Sequence, residues 1–174
     1  VCVASIGGLL FGYDTGIVAG AQMYFAETWP AITPNQIELI VSLTGAGACV
    51  GALFAGPISD KVGRKTVILL ADVLFTLGSF LMWFSPDIAT LMAGRFVVGL
   101  GVGAASLIVP LYMSEVSPDE VRGTVVAINI VFVTGAQFLS SFVCLALGHN
   151  WRLMLGLAGI LSIIQFIGML FMPE

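Results

Sequence analysis

The stretches VILLADVLFTLGSFLMWF (67–84) and LMLGLAGILSIIQFIGMLFM (153–172) decide the fold, because apolar side chains cover every side of a helix built from them. A strand of an outer-membrane barrel would instead alternate apolar and polar residues over about 10 positions. An apolar helix needs about 20 residues to cross the hydrocarbon core of a bilayer. Outward from these two stretches, the same character recurs, and spans are expected at 1–25, 37–59, 65–85, 90–113, 122–147 and 151–172. Of the 174 residues, 59% are hydrophobic and 9% charged, with a mean hydropathy of +1.08. So few polar groups cannot cover a water-exposed surface. The expectation is an all-α, multi-pass membrane protein: one six-helix bundle with short loops.

Glycine supports helix-on-helix packing, since small residues let membrane helices approach closely. Gly12, Gly16 and Gly20 recur every four residues along one side of the first helix, and Gly47/Gly51 and Gly99/Gly103 repeat the spacing in the second and fourth. Lys61, Arg64 and Lys65 lie in the loop SDKVGRK and Arg122 in the loop SEVSPDEVRG, on the same side of the bundle. The positive-inside rule assigns that side to the cytoplasm. Both chain ends are then cytoplasmic, and Trp29, Trp83 and Trp151 form an aromatic belt at the outer ends. The chain opens inside an apolar helix without a polar leader and closes on MPE as the sixth helix ends. It therefore reads as a fragment or a half of a longer chain, with no cleavable signal peptide.

Asp14, Asp72 and Arg95 fall inside expected spans, where an unpaired charge costs several kcal/mol and marks function by default. Asp14 is too deep to reach the interface, and Arg95 returns on the fourth helix to the same outer half. A carboxylate facing an arginine stays ionised, and one separated from it takes a proton, so the pair is a possible proton switch. Asp72 is expected to serve helix contact. GLGVGA (99–104) imitates a dinucleotide fingerprint but lacks the strand and the ribose-binding acid of a βαβ unit. His149 has no nucleophile or metal partner in view and reads as an interfacial residue. Cys2, Cys49 and Cys144 lie in apolar spans and suggest neither disulfide nor metal.

GGLLFGYDTGIVAGA, GPISDKVGRK, GRFVVGLGVGAASLIVPLYMSEVSPDEVRG and the final MPE, in this order and register, resemble the sugar porters of the major facilitator superfamily. The resemblance covers essentially the whole chain and implies the amino-terminal six-helix half of a twelve-helix transporter. ILLADVLFTLGS, INIVFVTGAQFLSS and WRLMLGLAGILSIIQFIGMLFMPE look most like proton-coupled myo-inositol transporters. The resemblance makes Asp14 and Arg95 the proton-coupling pair; facilitative hexose carriers usually have Asn at the position of Asp14, which cannot titrate. It also makes Asp60, Arg64, Glu115 and Arg122 an inner-face salt-bridge network that braces the outward-open state, with Gly63 in the tight turn beside it. Many hexose members carry a sugar-contacting Gln where this chain has Ile130, which argues against an ordinary glucose site.

Polyol binding needs donors and acceptors facing a cavity and an aromatic to cover the ring's apolar face. Gln137, Asn129 and Phe11 are the candidates on this chain. Gln137 and Asn129 are read as nearly on one helix face. The expected function is proton-coupled symport of a polyol, myo-inositol first, by alternating access in the plasma membrane. An enzyme activity, a cofactor, a metal and a nucleic-acid partner are not expected. The partners are the substrate, protons, lipid and the carboxy-terminal six-helix half. The alternatives are a hexose carrier of the same family and, in another class, a truncated non-transporting membrane subunit.

Overall fold

The computed structural model describes residues 2–148 and 150–171. Val1, His149 and the final MPE, on which the readings of His149 and of the two chain ends fall, lie outside them. Six helices follow one another: α1 Cys2–Thr28, α2 Pro34–Val62, α3 Arg64–Trp83, α4 Ile88–Val116, α5 Arg122–Leu147 and α6 Trp151–Leu170. Five of them, α2 to α6, are long and apolar enough to cross a membrane. The protein is a multi-pass helical membrane protein.

Local chemistry sets the helix ends. α2 starts at Pro34, ahead of the expected 37, because proline suits the first helical position. The Thr33 N–H donates to the Gln36 side chain at 3.0 Å and is satisfied there. α2 and α3 meet at Gly63, whose φ of +90° belongs to glycine. α4 runs to Val116, past the expected 113, and continues through Pro110.

α4 packs along α2 and α3, and α1 packs along α5 and α6, with α3 against α6 between the two groups. Advancing every helix by three maps the α2–α4 contact onto α5–α1 and the α3–α4 contact onto α6–α1. The bundle is thus built as two three-helix repeats, and an odd number of helices makes the copies opposite in direction. Glycine makes the matching contacts possible. Gly47 and Gly51 lie against the carbonyls of Phe96 and Leu100, and Gly99 and Gly103 against those of Thr44 and Ala48. Gly12 and Gly16 lie against the backbone of Val133 and Gln137. The glycines of GLGVGA are therefore packing contacts of a helix.

At one end of the bundle the tryptophans do more than mark a boundary. Trp151 is 2% exposed, lies edge-on to Phe25 and tilted against Trp29, and donates its Nε1–H to Thr28 at 2.7 Å. Trp83 covers Gly156, and Arg152 donates to the carbonyl of Ser85 at 3.0 Å. Trp151 is a core residue joining α6 to α1.

Candidate functional site

Arg95 on α4 donates from Nη1 to Oδ1 of Asp14 on α1 at 2.8 Å. The two are 1% and 3% exposed, so each charge is compensated almost wholly by the other. α1 and α4, the first helices of the two repeats, are in direct contact where the pair forms. Tyr13, next to Asp14, donates its hydroxyl to the carbonyl of Met154 at 2.9 Å and ties this level of α1 to α6.

Asp14 and Arg95 line a cavity of about 260 Å³ with Phe11 and Thr15 of α1 and Val41 and Thr44 of α2. The Thr44 hydroxyl is buried without a hydrogen-bond partner. A second cavity, of about 230 Å³, is lined by Gly7, Gly8, Phe11, Ser106, Pro110 and Asn129, among others. Asn129 is 6% exposed, and its Oδ1 has no partner. Gly8 makes room for it, since a Cβ there would run into Oδ1 of Asn129. Phe11 belongs to both cavities. Together they offer an ion pair, two unpaired polar groups and an aromatic face, the mixture that a polyhydroxylated ring requires.

Gln137 stands apart. Its side chain is exposed and borders neither cavity, while its backbone lies against Gly16. At 3.6 residues per turn, a separation of eight leaves Gln137 roughly 80° around the helix from Asn129. Asn129 turns inward to α1 and Gln137 does not, which corrects the reading that put them on nearly one face.

Near Gly63, Arg64 pairs with Asp60 at 2.5 Å and with Glu115 at 3.3 Å, and donates to the Ser59 hydroxyl at 2.6 Å. These contacts link the end of α2, the start of α3 and the end of α4. Arg122 is not part of this cluster. It pairs with Asp119 at 2.9 Å and donates to the carbonyl of Ser114 at 2.6 Å, which closes the α4–α5 turn on itself. The network implied for four residues thus consists of three here, and Arg122 has local partners.

Thr44 and Gln165 are the polar residues that sequence reasoning passed over. Gln165 is 0% exposed in α6, and neither of its amide atoms has a partner. It is the one amide side chain in that mostly apolar helix, a signal of the same kind as Asp14. Asp72 is buried as well, and its carbonyl accepts from the Ser162 hydroxyl at 2.8 Å, so this residue does join α3 to α6.

Residues 1–174 match the family model described as sugar (and other) transporter. The chain is 48% identical over 98% of its length to the probable inositol transporter 2 of Arabidopsis thaliana, of which it covers 30%. It is 47% identical, over 98% of its length, to the proton myo-inositol cotransporter of Homo sapiens and covers 27% of that protein. The chain therefore spans less than a third of the length of these relatives. In fold it is similar to the xylose transporter XylE from E. coli in a partially occluded inward-open conformation, with a TM-score of 0.91 and 24% identity over 99% of this chain and 49% of XylE. The helix order, the packing and the full-length family match lead to one conclusion: this chain belongs to the sugar (and other) transporter family.

Proposed function

We propose that the protein to which this chain belongs is a proton-coupled symporter of a polyol, with myo-inositol as the first candidate. The observation that carries this reading is the Asp14–Arg95 pair, buried between the two repeats and lining a cavity large enough for a small ring. With the pair closed, the carboxylate is ionised and its charge is balanced. When α1 and α4 move apart, the carboxylate loses its counter-charge in a low-dielectric bundle and takes up a proton. Substrate in the adjoining cavity links that separation to occupancy, through Phe11 against the ring and Thr44 and Asn129 at its hydroxyls. No covalent bond of the substrate changes.

The end carrying Gly63, Lys61 and Lys65 is assigned to the cytoplasm by its basic residues. There, contacts of Arg64 with Asp60 and Glu115 exist in one state and part in the other, which gives the transition its bias. Alternating access requires a second bundle against which this one rocks; it is supplied by the remainder of the parent chain. The relatives named for inositol support the substrate class.

The test is Asp14→Asn in the full-length protein reconstituted in vesicles. Asparagine keeps the shape and carries no proton. Accumulation of labelled myo-inositol driven by a pH gradient is expected to disappear, while exchange of internal for external substrate persists. A variant that still concentrates substrate with an undiminished proton current would refute the assignment.

A further inference from the structure

Phe11 also lines a third and much smaller cavity, of about 10 Å³, between α1, α3, α4 and α6. Its polar lining consists of Asp72 and Gln165. Asp72 is 2% and Gln165 0% exposed, and Oδ2 of Asp72 and both amide atoms of Gln165 lack hydrogen-bond partners. A polar group left buried and unpaired is destabilising, so three such atoms around one small space call for an occupant.

The packing holds the two side chains in place. The Ser162 hydroxyl donates to the carbonyl of Asp72 at 2.8 Å, and the Thr76 hydroxyl has two acceptors within reach of its one proton, that carbonyl at 2.7 Å and the Ser162 hydroxyl oxygen at 3.0 Å. This seam fixes α6 one turn before Gln165. On the opposite wall Gly7 keeps the space open, since a Cβ there would stand 3.0 Å from Nε2 of Gln165 and 3.0 Å from Val109.

The remaining wall carries no charge. α1 contributes Gly7, Leu10 and Phe11, α3 contributes Ala71 and Phe75, and α4 contributes Gly101, Val102 and Ala105. Among the described residues no lysine, arginine or histidine lines this cavity, and Arg95 is engaged with Asp14 in the neighbouring one. An ionised carboxylate here would be buried without a counter-charge, whereas a protonated one is neutral and gains a donor.

We propose that Asp72 and Gln165 form a second proton-binding site, in which Asp72 is a neutral acid and one buried water bridges its carboxyl group to the Gln165 amide. The water accepts the acid O–H and donates to Oε1 of Gln165, within the two to four partners that a buried water takes. The site differs in kind from Asp14–Arg95, where two ionised groups balance. It rests on packing and burial and is independent of the transport reading.

Infrared spectroscopy of the full-length protein in lipid at neutral pH tests it. A carbonyl stretch of a protonated carboxylic acid is expected in the unaltered protein and in Asp14→Asn, and is expected to vanish in Asp72→Asn. In Gln165→Leu the same band should move in frequency, because the bridging water has lost its second anchor. Identical spectra in this region for the unaltered protein and Asp72→Asn would overturn the protonated acid. A band that Gln165→Leu leaves unmoved would overturn the shared water. Should Asp72→Asn not accumulate as folded protein, the Gln165→Leu shift decides alone.

Discussion

Gly12 of α1 lies so close to the Val133 carbonyl of α5 that a Cβ at position 12 would overlap it. The approach is backbone on backbone, so no side chain can rotate away to make room. Gly12→Ala should therefore force the two helices apart, at the roughly 1–3 kcal/mol typical of overpacking. Gly135→Ala on α5 is the matched control, because nothing lies within 4 Å of a Cβ there, and alanine is the better helix former by about 1 kcal/mol. Thermal unfolding of the full-length protein in detergent should show a lower midpoint for the first variant and an equal or higher one for the second.

That contact also shows which parts of the fold the sequence made legible. Gly12, Gly16 and Gly20 fall on one side of a helix by spacing alone, so the existence of a close partner could be read. That the partner is α5 could not, because it follows from the crossing of two three-helix repeats. Asp14 and Arg95 were legible for a stronger reason: opposite charges in an apolar bundle must find each other or pay for desolvation. Arg122 was harder to place. Asp119 and Ser114 are near it in sequence, and local partners at a turn compete with distant ones. Gln165 and Thr44 were missed because a neutral polar residue in an apolar run gives a weaker signal than a charge, and only packing shows that it is unpaired.

Gln137 is the candidate whose position calls for a direct comparison with Asn129. It is exposed in this bundle and borders neither cavity, so its contact with substrate depends on the remainder of the parent protein. In the full-length protein, Gln137→Ala is expected to weaken myo-inositol binding by roughly 2- to 12-fold, the loss of one neutral hydrogen bond of about 0.5–1.5 kcal/mol. Asn129→Ala removes a buried group from the cavity wall itself and should weaken binding at least as much. Isothermal titration of both purified variants checks this. Unchanged affinity for Gln137→Ala alone would assign Gln137 to contacts between bundles and leave Asn129 as this chain's amide contact.

Glu115→Gln removes the charge that joins α4 to Arg64 and leaves the Arg64–Asp60 pair intact. Glu115 is exposed and Arg64 partly so, and such a pair contributes about 0–1 kcal/mol. Global stability should hardly change. If the contact exists in only one of the two transport states, the same small energy shifts their populations by up to about five-fold. Labelling rates of a cysteine placed on the cytoplasmic side of the substrate cavity should rise by that order in the variant. Arg122→Ala, which breaks only the turn contacts with Asp119 and Ser114, should leave those rates unchanged.

Arg95→Gln tests the electrostatics of the central pair without assuming transport. The substitution leaves Asp14 buried and deprived of its counter-charge, and breaking a buried pair in this way costs about 3–5 kcal/mol. The single variant should therefore unfold at a clearly lower temperature than the unaltered protein. Adding Asp14→Asn removes the orphaned charge, and an Asn–Gln pair can still hydrogen-bond across the same gap. The double variant should regain most of the lost stability, so that the two substitutions are strongly non-additive. The single variant should also respond to acid. Protonating the orphaned Asp14 relieves its desolvation, so the stability deficit of Arg95→Gln should shrink as pH falls. Thermal midpoints of the four proteins, measured across a pH series, give the coupling directly. Additive effects would mean that Asp14 and Arg95 are stabilised independently, by water or by other groups in the cavity, and that the 2.8 Å contact contributes little to holding α1 against α4.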